Sequence, residues 1–346
     1  MTCPLHELKR YYYVTPTSYL ILIKTFKSLL AEKRKAIDSI IAKYEKGLDK
    51  HIDKVLKMDH INIGKIRKRK FKVLLDCVNG AGAYSMPQLL EKLGCKVTAI
   101  NSDKSGIFPR LPEPIPENLK ATMRAVKKHK ADIGIVVDPD VDRLVLITEK
   151  GEPFGEENTI TQAVKFYLSK KKGNAVVNLS TTRAVDDAAK EFGCKVYRAP
   201  VGEANVVKKM KSVKGVIGGE GSGGVIVPKV NFGRDALVGT VIMLQHLLEF
   251  GGKMSELKKS LPQYYIVKKK IELGGKNPDV IVKKLKLKYG NNKTNVEDGL
   301  RIDFPDHWVN FRKSNTEPIL RCIVEAKSKK EAESLAEKYL NGIKNL

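Results

Sequence analysis

Three aspartates at alternate positions are the most chemically informative feature of the sequence. Asp138, Asp140 and Asp142 lie in the stretch "VVDPDVDR", and Arg143 follows them directly. Alternate residues of an extended chain point to the same side, and clustered carboxylates repel one another unless a cation lies among them. Carboxylates with no His or Cys nearby favour Mg²⁺ over a transition metal. The spacing predicts a Mg²⁺ site, with a plain acidic turn as the alternative.

The residues around the aspartates indicate where such a site would lie. The apolar run "IGIVV" predicts a buried strand, and Pro139 cannot donate to a sheet ladder. The carboxylates are therefore expected on a loop at the carboxyl end of that strand, where open α/β sheets bind ligands. Together with Glu149 they also match EF-hand positions 1, 3, 5 and 12, but Arg143 replaces the required Gly and strands flank the loop. This excludes an EF-hand.

Two glycine-rich stretches are candidates for ligand binding. "GGEGSGG" at 218–224 precedes a predicted strand rather than a helix, so it is no dinucleotide fingerprint. It presents Glu220 and Ser222, which suit the vicinal hydroxyls of a sugar, although a simple hairpin turn is the alternative. "GAGAYS" at 80–85 follows a strand and opens a helix, with Asp103 after the next strand. That arrangement leaves an NAD(P)-binding α/β enzyme as an alternative function.

A polar stretch near the C-terminus offers hydrogen-bond donors for a phosphate group. The residues of "RKSNTEPILRC" that supply guanidinium, hydroxyl and amide groups are Arg312, Ser314, Asn315, Thr316 and Arg321. Guanidinium and backbone N–H groups together bind phosphate dianions well. A neutral polar turn is the alternative.

Alternating strand and helix patterns predict an α/β fold. "KLGCKVTAI" and "EFGCKVYRA" each end a strand–helix–strand unit, so two stretches of the chain are expected to be diverged copies. We predict two related three-layer α/β domains and a C-terminal α+β domain, preceded by a long amphipathic helix over residues 26–58, or by two helices that break near Gly47. The predicted domains are 1–70 (helical), 71–173 (metal-binding), 174–265 (sugar-binding) and 266–346 (phosphate-binding).

The amino-acid composition limits which cellular compartment and which binding partners are expected. The five cysteines form no metal-type pairs and are expected as thiols in the cytoplasm, and no apolar run is long enough to span a membrane. The net charge is +25, and the dense basic run "IRKRKFK" at 66–72 raises nucleic-acid binding as an alternative. No aromatic platform accompanies that run, so a solvated Lys-rich surface is the expected explanation and nucleic acid is not an expected partner.

In combination, these stretches resemble the α-D-phosphohexomutase family of phosphoglucomutases and phosphomannomutases. The resemblance rests on "VLLDCVNGAG", "FPRLPEPIPENL", "DPDVDR", "VGEANV", "GGEGSGG", "FGRD" and "RKSNTEP", which occur in this order. It implies the last three of the family's four domains. It also implies Mg²⁺ ligands at Asp138, Asp140 and Asp142, and sugar contacts at Glu220 and Ser222. A phosphate loop is implied at Arg312, Ser314, Asn315 and Thr316, and Arg143 is implied to steady the transferring phosphoryl group.

The function implied by this resemblance is interconversion of the 1- and 6-phosphates of glucose, mannose or glucosamine through a sugar bisphosphate. In the family a phosphoserine in a Thr-Ala-Ser-His-Asn-Pro-like loop carries the phosphate, and the sequence contains no such loop. Ser18 in "VTPTSYL" lacks the His-Asn-Pro and is a poor substitute. We therefore expect a chain that lacks most of the first domain and is impaired or dependent on a separate first-domain chain. The apolar stripe of the long helix makes a homo-oligomer a further expected partner.

Overall fold

The computed structural model describes residues 46–273, 277–313 and 319–344. Within this part, a helix over residues 46–56 (α1) is the end of the predicted long helix, whose earlier part lies outside the described residues. Among the described residues, no helix is both long and apolar enough to cross a membrane.

The first unit is a four-stranded sheet covered by helices. Its strand order is β2-β1-β3-β4, with β1 parallel to β2 and β3, and β4 antiparallel to β3. A short 3₁₀ helix over Pro116–Leu119 leads into its last helix. The elements are α2 (Ile63–Arg69), β1 (Lys72–Asp76), α3 (Gly82–Lys92), β2 (Lys96–Ile100), α4 (Lys120–Lys128), β3 (Ile133–Val137) and β4 (Leu144–Thr148).

The second unit repeats the topology of the first. Its order is β6-β5-β7-β8, and again the first three strands are parallel while the last is antiparallel. Two diverged copies of one architecture are therefore present, as the repeated strand endings predict. The elements are α5 (Glu156–Lys170), β5 (Asn174–Asn178), α6 (Ala184–Lys190), β6 (Val196–Ala199), α7 (Glu203–Ser212), β7 (Gly215–Glu220), β8 (Gly224–Ile226), α8 (Ala236–Phe250) and α9 (Met254–Ser260).

The third unit is an antiparallel sheet with helices, which is the predicted α+β arrangement. Its strand order is β10-β11-β12-β13-β9. The elements are β9 (Tyr265–Glu272), α10 (Pro278–Lys288), β10 (Lys293–Asn295), β11 (Leu300–Asp303), β12 (Trp308–Lys313), β13 (Ile319–Ala326) and α11 (Lys329–Lys344). The domain boundaries predicted from the sequence stay predictions.

Packing joins the first two units into one body. The largest apolar core runs through both, and each of the two also has a smaller buried cluster of its own, whereas the third unit has a separate core. Ile52 and Val55 of α1 are fully buried in the shared core, so this part of the predicted apolar stripe packs against the chain itself. Helix α8 carries apolar side chains on most of its surface because it packs against both α5 and β8.

His51 connects α1 to the first turn of α8. Its Nε2 lies 2.6 Å from Oδ2 of Asp235, and Oδ1 of Asp235 accepts hydrogen bonds from the N–H groups of Leu237 and Val238 at 2.8 and 3.2 Å. Hydrogen bonding to Asp235 raises the pKa of His51 against the opposing effects of burial and of the charge on Lys54. The pair therefore stabilises α1 against α8 when the imidazole is protonated.

This pair predicts a pH-dependent contribution to stability. A raised pKa in the folded state means that the contribution is complete below the unfolded pKa of about 6.5 and is lost as pH rises through the folded pKa. We expect His51→Gln to lower the free energy of unfolding by roughly 1–2 kcal/mol at pH 6 and by less at pH 9. Urea denaturation over this range measures the effect. His129→Gln, at an exposed position, is the control, and an equal loss at both pH values would contradict the assignment.

Candidate functional site

The three aspartates lie together on the loop between β3 and β4. Asp138 follows β3 directly and is buried, and its Oδ1 accepts hydrogen bonds from the backbone N–H groups of Asp142 and Arg143 at 3.1 and 3.0 Å. These bonds curl the loop, so that one oxygen from each of Asp138, Asp140 and Asp142 lies within 4.8 Å of the others. Such a spacing can hold a divalent cation, whose bonds to oxygen are roughly 2.0–2.6 Å long.

The electrostatics of this loop also fit a cation. Burial and the charges of neighbouring aspartates raise the pKa of Asp138, and burial and the charge on Asp142 raise that of Asp140. Oδ1 of Asp142 is buried without a hydrogen-bond partner. The guanidinium of Arg143 compensates only in part, with its Nε 3.6 Å from Oδ2 of Asp138 and 3.8 Å from Oδ1 of Asp142. An all-oxygen donor set with excess negative charge fits Mg²⁺.

The loop backbone is held in a strained conformation. Val141 is buried and has a φ angle of +64°, in the left-handed region that β-branched residues rarely adopt. Its carbonyl oxygen accepts a hydrogen bond from the N–H of Ala236 at 3.0 Å. The start of α8 therefore helps to fix the loop, and this strain is typical of functional sites.

The glycine turn at residues 80–85 packs against the aspartate loop. The N–H of Ala81 donates to the carbonyl oxygen of Pro139 at 2.8 Å, and a Cβ on Gly80 would lie 2.7 Å from Cα of Pro139. A Cβ on Gly82 would lie 2.5 Å from the side chain of Val137. These two glycines are therefore needed for close packing within the protein, so the glycine-rich turn does not require a dinucleotide to explain it. Asp103 is exposed and bonds locally to Ser105.

This close packing predicts that Gly80→Ala will disturb the metal loop. The added methyl group must displace the backbone at Pro139, and overpacking of this kind costs about 1–3 kcal/mol. We expect a lower unfolding midpoint together with weaker Mg²⁺ binding. Thermal unfolding and calorimetric titration with Mg²⁺ measure the two effects. Gly342→Ala in α11, where a Cβ would meet nothing within 4 Å, is the control and should be neutral or stabilising. Unchanged Mg²⁺ affinity in Gly80→Ala would contradict the prediction.

The predicted sugar loop adjoins the aspartate loop. Glu220 ends β7 and is buried, and its Oε1 accepts hydrogen bonds from Nδ2 of Asn178 at 2.8 Å and from the N–H of Gly202 at 3.0 Å. Ser222 is half-buried on the loop between β7 and β8. The carbonyl oxygen of Gly223 accepts a hydrogen bond at 3.1 Å from the N–H of Leu144, which is the first residue after the aspartate loop. The two loops are therefore direct neighbours.

Arg234 links these two loops, and sequence reasoning gave it no role. Its Nη2 donates to Oδ2 of Asp142, its Nη1 to Oε2 of Glu220 at 2.7 Å, and its Nε to Oε2 of Glu203 at 3.2 Å. The only signals in the sequence were the stretches "FGRD" and "VGEANV", neither of which identifies a partner. One mostly buried guanidinium thus holds carboxylates from three separate segments.

The third unit places two of the predicted phosphate ligands side by side. Arg312 and Arg321 are directly paired residues of β12 and β13, and such pairs project to the same face of a sheet. Nε of Arg312 donates to Oδ1 of Asp298 at 2.8 Å. The other three predicted ligands, Ser314, Asn315 and Thr316, lie outside the described residues.

Family models match three consecutive parts of the chain. They are described as phosphoglucomutase/phosphomannomutase, alpha/beta/alpha domain II (residues 49–151), alpha/beta/alpha domain III (residues 157–265) and C-terminal domain (residues 267–341). The first domain is not matched. The resemblance predicted from the motifs is thereby confirmed.

Two curated relatives and one solved structure show the same similarity. A phosphoglucomutase/phosphomannomutase of Thermococcus kodakarensis is 38% identical over 282 residues, which are 81% of this chain and 62% of that protein. A probable phosphoglucosamine mutase of Methanopyrus kandleri is 33% identical over 301 residues, 86% of this chain and 66% of that protein. The chain thus spans less than two thirds of either relative.

The solved structure is that of a phosphoglucomutase/phosphomannomutase family protein from Burkholderia thailandensis. It superposes with a TM-score of 0.75 and 22% identity, over 90% of this chain and 70% of that one. At this level of identity the likeness concerns the fold, and the predicted fold class is confirmed by it.

Proposed function

The chain belongs to the phosphoglucomutase/phosphomannomutase family, and on that basis we propose that it takes part in Mg²⁺-dependent interconversion of hexose 1- and 6-phosphates through a sugar bisphosphate. The names of its relatives support glucose, mannose or glucosamine phosphate as substrate. The observation that carries the proposal is the position of Arg234, which joins Asp142 of the metal loop to Glu220 of the sugar loop.

Each loop has its own part in the proposed reaction. Asp138, Asp140 and Asp142 would hold Mg²⁺, which supplies charge stabilisation to a phosphoryl group in transfer. Arg143, beside them, adds a cationic group for the same charge. Glu220 and Ser222 would bind sugar hydroxyls. The carboxylate oxygens of Glu220 already accept hydrogen bonds from protein groups, so they would have to accept the sugar hydroxyls in addition. Arg312 and Arg321 would hold the phosphate that does not react.

We propose that the phosphoserine for this reaction comes from outside this chain, for instance from a separate first-domain chain. The proposal is supported by the lack of a Thr-Ala-Ser-His-Asn-Pro-like loop in the sequence, and Ser18 lies outside the described residues. A cytoplasmic setting is supported by Cys77, Cys95, Cys194 and Cys322, which are all free thiols.

Binding and turnover test the two parts of this proposal separately. We expect the purified chain to bind glucose 6-phosphate, mannose 6-phosphate or glucosamine 6-phosphate, more tightly with Mg²⁺ than with EDTA. We expect no conversion of glucose 1-phosphate, even when glucose 1,6-bisphosphate is added. Turnover by the chain alone would disprove the external phosphoserine but support the mutase function. Failure to bind any of the three phosphosugars would overturn the mutase function itself.

A further inference from the structure

Asp298 lies in the turn between β10 and β11. The next residue, Gly299, has a φ angle of +80°, and a Cβ there would lie 2.1 Å from the carbonyl oxygen of Phe311. Only a glycine fits so close to β12. The turn is therefore pressed against the strand that carries Arg312.

The two carboxylate oxygens of Asp298 bind groups from two different units. Oδ1 accepts a hydrogen bond from Nε of Arg312 at 2.8 Å, within the third unit. Oδ2 accepts one from the N–H of Val201 at 2.9 Å, in the second unit. The side chain is 17% exposed, so these bonds are largely shielded from water. A single aspartate thus fixes the position of Arg312 relative to the second unit.

The contact at Val201 leads directly into the sugar loop. The next residue, Gly202, donates its N–H to Oε1 of Glu220 at 3.0 Å. Glu220 in turn is bound to Arg234, which reaches Asp142. Hydrogen bonds, joined by the backbone between Val201 and Gly202, therefore connect the proposed phosphate ligand through the sugar loop to the metal loop.

We propose that Asp298 is a positioning residue that sets the distance between the phosphate grip of Arg312 and the sugar loop at Glu220. This inference rests on the proposed function, because it assumes that one phosphosugar spans both groups. Through Nε, Asp298 fixes the plane of the guanidinium and leaves the two Nη atoms for a bidentate contact with phosphate. Its negative charge itself opposes phosphate binding, so its benefit comes from geometry.

A positioning role for Asp298 predicts different effects on the binding of a phosphosugar and on the binding of phosphate alone. In Asp298→Asn the side chain loses its charge. An amide has one oxygen where the carboxylate has two, so it cannot accept from both Arg312 and Val201 in the way that Oδ1 and Oδ2 of Asp298 do. We expect affinity for glucose 6-phosphate to fall about tenfold, because spacing is lost. Affinity for inorganic phosphate should stay the same or rise, because a negative charge near Arg312 has been removed. A variant damaged throughout would instead lose both.

Calorimetric titration of the full chain, with Mg²⁺ present, makes the comparison. Asp306→Asn is the matched control, because Asp306 lies in the same unit, is largely exposed and bonds to the adjacent His307. In an Arg312→Ala background, Asp298→Asn should have little further effect on glucose 6-phosphate, since Asp298 acts through Arg312.

The outcomes distinguish this inference from the function on which it rests. Unchanged glucose 6-phosphate affinity in Asp298→Asn, or a parallel loss of inorganic phosphate, overturns the positioning role while the wild-type chain still binds the sugar. If the wild-type chain binds no phosphosugar at all, the proposed function fails. A selective loss of glucose 6-phosphate in Asp298→Asn that disappears in the Arg312→Ala background supports the inference.

Discussion

Replacing Arg234 with alanine is expected to destabilise the chain by about 3–5 kcal/mol, because it leaves buried carboxylates without their cation. The guanidinium contacts Asp142, Glu220 and Glu203, and the first two of these side chains are only 12% and 6% exposed. When one partner of a buried ion pair is removed, the other charge stays buried without compensation, and the folded state is destabilised. We also expect phosphosugar binding to be lost, since Arg234 holds Oε2 of the proposed sugar ligand Glu220.

Urea denaturation in EDTA measures this loss without a contribution from bound metal. Arg234→Lys should recover only part of the stability, because a single ammonium group cannot bond to three carboxylates at once. Arg69→Ala is the control, since Arg69 forms a partly exposed ion pair with Asp132 at 3.5 Å. Such a pair contributes roughly 0–1 kcal/mol to the free energy of unfolding. If Arg234→Ala proves as stable as Arg69→Ala, the contacts of Arg234 with Asp142 and Glu220 do not stabilise the two loops against each other.

The contrast between the aspartate loop and Arg234 shows which features the sequence could predict. Asp138, Asp140 and Asp142 lie within five residues, so their proximity follows from local geometry. Arg234 meets Asp142 across ninety-two positions of sequence, and only the packing of α8 against the first unit brings them together. Charge and residue type alone could not select it among 64 lysines and arginines.

The repeated sheet topology was predictable for a similar reason. Apolar runs such as "IGIVV" and paired endings such as "KLGC" and "EFGC" mark buried strands and helix ends locally. The position of Asp298 was not predictable, because its role depends on the docking of the third unit against Val201. The left-handed conformation of Val141 was equally hidden, since a β-branched residue is normally read as extended.

Asp138→Asn is expected to change stability in opposite directions with and without metal. Burial and the charges on Asp142 and Asp140 raise the pKa of Asp138 above its unfolded value of about 3.9. A carboxyl group with a raised pKa loses folding stability as pH rises from the unfolded value through the folded one, so at neutral pH the charge destabilises the metal-free fold. Asparagine removes the charge, and its amide oxygen can still accept the N–H groups of Asp142 and Arg143. We expect a gain of about 1–2 kcal/mol in EDTA.

With Mg²⁺ bound, the wild-type chain should become more stable than Asp138→Asn. A ligand that binds only the folded state adds about 2.7 kcal/mol when present at one hundred times its dissociation constant. The wild-type chain should gain this amount, whereas Asp138→Asn, with one charged ligand fewer, should gain little. Thermal unfolding in EDTA and in MgCl₂ gives both values, and Asp53→Asn, on the exposed side of α1, should behave as wild type. Equal stabilisation of Asp138→Asn and wild type by Mg²⁺ would remove Asp138 from the metal site, and a loss of stability in EDTA would show that its charge serves the fold itself.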